Sequence, residues 1–153
     1  MRRPPRHLMR KLVRLTRADW ADLLEAQGAL IRAQLLVWTR PHGRLIAMVT
    51  PAAEVAPAAR GADTAALRLA RAVHRAATYG LFRPLCLVRA VALSRLLERH
   101  GIPGGRVCIG VRRHGGRFGA HAWIELGGQV LGDSDEHVGA YAPLADVRLV
   151  HPS

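Results

Sequence analysis

Between His100 and Pro103 the apolar period of the chain changes from about 3.6 residues to 2. Upstream, apolar side chains recur at helical spacing. Downstream, Val107, Ile109 and Val111 alternate with Cys108 and Gly110. The pairs Gly115-Gly116 and Gly127-Gly128 then separate two more alternating stretches, 118–126 and 129–133, as tight hairpin turns would. Helices first and antiparallel strands second predict an α+β fold, with N-terminal helices packed on a small sheet.

The helical part divides at a break. Thr16 followed by Asp19 reads as a capping-box start, and Trp20, Leu23, Leu24, Leu30, Ile31 and Leu35 then form a stripe that should face the core. Pro41-His42-Gly43 ends that helix, and residues 51–61, with Pro51, Pro57 and Gly61, read as a connecting loop. We therefore expect a helical lead-in region over 1–60 that packs on a core formed by 61–153. Asp63 can cap a second helix over 64–79, which Gly80 ends. Pro84 precedes a third, where its missing amide is harmless, so Cys86 falls in the first turn. From 85 to 93 this helix is apolar almost all round, and it should be central and buried.

With 153 residues, half of them hydrophobic, the chain has material for one domain. Its net charge of +12 comes from 22 arginines and Lys11 against 11 acids. Five of those acids lie beyond residue 117, where there is one basic side chain. Residues 1–15 carry six basic groups and no acid, and read as a solvated arm or an anion-docking strip. A basic surface favours acidic partners in general, but with 5% aromatic residues there is no base-stacking platform, and no nucleic-acid partner is expected. Two cysteines without a secretory signal pattern point to the cytoplasm. The most lipid-like run, 29–38, contains Arg32 and Gln34 and is too short to span a bilayer. Neither a phosphate-cradling glycine loop nor a common zinc spacing among Cys86, Cys108, His114, His121 and His137 is present, so no cofactor and no metal are expected.

The candidate chemistry is a thiol, an imidazole and a carboxylate in that chain order. Cys86 would sit at the positive end of a helix dipole, beside amides able to hold an oxyanion. A cysteine taken alone is more often a packing residue, and that is how Cys108, in mid-strand, is read. His121 lies in Gly119-Ala120-His121-Ala122-Trp123, among small residues that admit a neighbour and beside an indole that can exclude water. Asp133 and Asp135 compete as the group that orients it. A strict two-residue turn at Gly127-Gly128 pairs Leu126 with Gln129 and would point both aspartates away from His121. One extra bulge residue would put Asp133 on the imidazole's side, so a Cys-His-Asp site predicts that bulge. Asp133 is preferred because Asp135 lies further into the loop.

The blocks Cys86-Leu87-Val88-Arg89-Ala90, Arg99-His100-Gly101-Ile102-Pro103, Ala120-His121-Ala122-Trp123-Ile124-Glu125 and Leu131-Gly132-Asp133 resemble the transglutaminase-like leader peptidase of lasso peptide biosynthesis, over about residues 65–150. The resemblance implies a papain- and transglutaminase-related fold. It implies a cysteine peptidase that cleaves the leader from a ribosomally made precursor peptide, working with a separate leader-recognition protein and a macrolactam cyclase. Carried over by position, Cys86 is the nucleophile, His121 the base and then acid, and Asp133 the orienter. No glutamine stands just before Cys86, which leaves a second oxyanion donor unassigned. Another transglutaminase-like acyl transferase or amidase would use the same residues, and a non-enzymatic basic module that binds nucleic acid or peptide is the alternative outside enzymes.

Overall fold

Thr16 and Asp19 close the expected box at the start of the first helix, α1 (Arg17–Thr39): the Thr16 amide donates to Asp19 Oδ2 at 2.9 Å and the Asp19 amide donates to Thr16 Oγ1 at 3.2 Å. The Thr16 amide and hydroxyl, with Arg75 nearby, hold the Asp19 carboxyl below its ordinary value. The computed structural model describes residues 16–39, 47–48 and 60–148. The basic arm at 1–15, the break at 41–43 and the loop at 51–59 lie outside these.

The face that α1 buries is not the one its large side chains suggested. Ala26, Ala29, Leu30 and Ala33 are buried, with Leu23 partly so, while Trp20, Leu24, Ile31 and Leu35 of the expected stripe are exposed, Leu24 by 69%. The reason lies in the partners. The second helix, α2 (Arg60–Tyr79), buries Ala66, Ala70, Ala72, Ala76 and Ala77. Small side chains on facing helices let the backbones approach closely, and bulky ones are left outside. Charge selects the same rotation of α1, because Asp22 reaches Arg68 at 3.6 Å, and Glu25 reaches Arg99 at 3.6 Å and His100 at 3.1 Å. Close approach is also visible where α2 ends: a Cβ at Gly80 would collide with the Gln27 side chain and the Ala76 carbonyl. Residues 60 and 61, expected in the loop, already belong to α2.

The third helix, α3 (Cys86–Arg99), is central as expected, with Val88, Val91, Ala92, Leu93, Leu96 and Leu97 buried. It ends at Gly101, whose φ of +67° lets Ile102 N reach back to Leu97 O at 2.9 Å. The strands are β1 (Ala47–Met48), β2 (Arg106–His114), β3 (Arg117–Leu126), β4 (Gln129–Leu131) and β5 (Ala142–Arg148), with a short helix, α4 (Asp135–Gly139), before the last. They form one antiparallel sheet in the order β1-β5-β2-β3-β4. Val107, Ala122, Ile124, Leu126 and Leu131 join the core under the helices. Cys108 and Trp123, paired across β2 and β3, close a smaller cluster with Val138 on the other face. The α+β architecture and the packing role of Cys108 are as the sequence predicted. None of the described helices is long and apolar enough to cross a membrane.

The alanine face sets a test. Ala26→Leu should overpack the α1 contact and destabilise the protein by about 1–3 kcal/mol, whereas Leu24→Gln should stay within about 0.5 kcal/mol, both read from urea midpoints. The reverse ranking would place the core on the other side of α1.

Candidate active site

Cys86 is the first residue of α3, following Leu85 in extended conformation. It lines a cleft together with Arg89, His121, Trp123, Gly132 and Asp133. This cleft is narrow, about 30 Å³ against about 390 Å³ for the groove between α1 and α3. That larger groove is lined by apolar and charged side chains, including Arg32, Glu98 and Arg99, without a thiol or imidazole.

His121 and Asp133 meet by a route the sequence did not suggest. Gly127 and Gly128, at φ +58° and +81°, make the strict two-residue turn, and Leu126 does pair with Gln129. The bulge expected between β3 and β4 is therefore not there. Instead the ladder stops after Ile124 pairs with Leu131, and Gly132 at φ +77° turns the chain out of the sheet. Asp133, freed from strand alternation, swings to His121 and accepts a hydrogen bond from Nε2 at 2.6 Å. A register shift does occur, but between β2 and β5 at Ile109/Gly110. Asp135 is the first residue of α4, behind Ser134, which caps that helix through the His137 amide.

A proton on Nε2, shared with a carboxylate, leaves the Nδ1 lone pair as the basic position of the ring. Burial works against the Asp133 charge, yet the bond from His121, the Ser134 amide at 2.9 Å and the charges of His121 and His137 outweigh it, and its pKa falls below the ordinary 3.8. Asp133 is thus ionised at neutral pH and able to stabilise an imidazolium.

Around the ring stand the indole that the sequence pointed to and several groups that it did not. Trp123 stacks at 6.2 Å and is held by its Nε1 donating to Glu125 at 3.0 Å; Glu125 in turn meets its cross-strand partner Arg106 at 3.2 Å. His137 is edge-on to His121 at 4.9 Å, and Tyr141 lies at 5.2 Å with the Arg112 guanidinium 4.9 Å above it. Gly110, directly across from His121, leaves room for this cluster: a Cβ there would come within 2.8 Å of Tyr141 and 2.9 Å of the Trp123 ring. Arg89, three residues after Cys86, donates to His74 at 3.2 Å and reaches the Gly132 carbonyl at 3.5 Å, linking α3, α2 and the bend. His137 stands four residues after Asp133, the one sequence signal that could have found it. Tyr141 had none.

Two tests follow from the bend and the bond. Gly132→Ala forces a side chain into left-handed backbone and should destabilise the protein by about 1–2 kcal/mol, measured by denaturation, while raising the Asp133 midpoint in a carboxyl NMR titration. The second concerns pH. Because the folded pKa of Asp133 is lowered, its contribution to stability is complete above the unfolded value and is lost as pH falls through the folded one. The stability gap between the parent and Asp133→Asn should accordingly close below about pH 4; a gap that closes near neutrality would mean the carboxyl is not ionised by His121.

The model of the transglutaminase-like superfamily matches residues 27–146. No curated protein and no solved structure matches the chain.

Proposed function

Because the chain belongs to the transglutaminase-like superfamily, which includes cysteine proteases and transglutaminases, we propose that it is a cysteine peptidase that removes the leader from a ribosomally made lasso precursor peptide. The observation that carries this reading is the 2.6 Å His121–Asp133 bond in a cleft that Cys86 also lines. The lasso substrate rests on the resemblance of the Cys86, His121 and Asp133 blocks to that family's leader peptidase.

In this mechanism Nδ1 of His121 takes the thiol proton, and the Cys86 sulfur adds to the carbonyl at the leader–core junction. Amides at the start of α3, that of Cys86 among them, hold the oxyanion. As the intermediate collapses, the imidazolium gives its proton to the departing core amine, leaving the leader as a thioester on Cys86. His121 then draws a proton from water, which attacks the thioester and frees the leader acid and the thiol. Asp133 keeps the ring oriented and stabilises it while charged. The Trp123 indole shields that pair from bulk water.

Leader recognition and ring closure fall to a separate leader-recognition protein and a macrolactam cyclase. The surface that fits such dependence is the outer ridge of α1. Trp20, Leu24, Ile31, Leu35 and Trp38 are all exposed, Trp38 by 75%, and fall within about 60° of helical arc. A ridge of this kind, apolar at each of these five positions, is where such a partner would dock.

The experiment is leader cleavage with precursor, recognition protein and this chain, followed by mass spectrometry. Cys86→Ala and His121→Ala should abolish the leader acid product with the fold retained by circular dichroism, and Cys108→Ala should not. Asp133→Asn should lower kcat at least about tenfold, whereas Asp135→Asn should not. Full activity of Cys86→Ala would end the mechanism, and a leader amide in place of the acid would make the chain an acyl transferase.

A further inference from the structure

The triad candidates do not use His137, and its position has a chemical meaning of its own. One ligand atom each from His121, Asp133 and His137 lies within 4.8 Å of the other two. Two imidazoles and a carboxylate are donors that suit zinc, whose catalytic-type sites take three protein ligands and leave a fourth position open. We propose that these three residues form a zinc-class divalent cation site, and that filling it switches off the cleft. The inhibition rests on the peptidase reading; the binding does not.

The geometry needs a small adjustment. In tetrahedral zinc the ligand atoms stand about 3.4 Å apart, given Zn–N and Zn–O near 2.0–2.1 Å. The 2.6 Å His121–Asp133 contact has to open slightly, and His137 has to move inward. His137 is free to do so, being exposed on α4 with its ring edge-on to His121. The other Asp133 oxygen already accepts the Ser134 amide at 2.9 Å, which fixes the carboxylate from behind, as outer partners of metal ligands do. Asp133 and His137 are thus tied through the same Ser134, whose hydroxyl caps the helix carrying His137.

Occupancy and catalysis exclude one another. A cation on the His121 ring takes the lone pair that would receive the thiol proton or displaces the proton shared with Asp133, and in either case the base is lost. Such a site differs from simple capture of metal by a reactive thiol, because it does not need Cys86.

That difference sets the experiment. Full-length Cys86→Ala protein is titrated with zinc by calorimetry and with cobalt by visible absorption, alone and with His137→Gln added. We expect one zinc per chain, a tetrahedral cobalt spectrum, and at least about a tenfold loss of affinity with His137→Gln. In the leader-cleavage assay, zinc should inhibit the parent reversibly on adding a chelator. His137→Gln should need at least about tenfold more zinc for the same fractional loss, each protein being scaled to its own metal-free rate. Absence of stoichiometric binding by Cys86→Ala overturns the proposal, as does equal affinity with and without His137. Zinc that binds while no peptide is ever cleaved leaves the site standing and removes the peptidase reading instead.

Discussion

Helix α3 buries eight of its fourteen residues, and a helix apolar on nearly every side must be enclosed on nearly every side. Much of the architecture answers to that constraint. α1 and α2 cover α3 from one direction, and the inner face of the sheet, through Val107, Ala122, Ile124 and Leu126, covers it from the other. Because Cys86 is the first residue of this buried rod, the enclosure that satisfies the core also delivers the thiol to the rim where β3 and the bend after β4 meet. Packing and placement of the candidate nucleophile are one event.

Much of this was legible in the sequence, for physical reasons. The α3 segment and its first-turn cysteine follow from a run after Pro84 that is apolar from 85 to 93 but for Arg89. The double glycines at 115–116 and 127–128 have positive φ, as hairpin turns require. Not all of it was legible. The α1 stripe was drawn through the largest apolar residues, whereas contact with α2 and α3 selected alanines, and size is a poor guide to burial where two helices come close. The short β1 and the final strand β5 were not foreseen, since Pro143 and mixed polarity over 142–148 mask strand alternation.

At the site, sequence order singled out three residues that share one cleft, but not how two of them touch. Strand alternation carried as far as Asp133 would point that carboxylate away from His121. Gly132 is not an ordinary strand residue, however, and its positive φ is what ends the strand. A glycine just before a candidate polar group signals a backbone reversal as readily as flexibility. The approach of His137 and Tyr141 to His121 was not legible because they come from a short helix and the residues after it, where no periodicity points.

The hairpin behind His121 works as a ruler. Its tip is fixed by two glycines, its rungs are counted by three cross-strand pairs from Leu126–Gln129 to Ile124–Leu131, and the carboxylate stands two residues past the last rung. One residue more or less along that measured arm would carry Asp133 off the imidazole, however well the rest of the protein folded. The distance that holds this carboxylate on its imidazole is therefore set within a stretch of seven residues, 127–133.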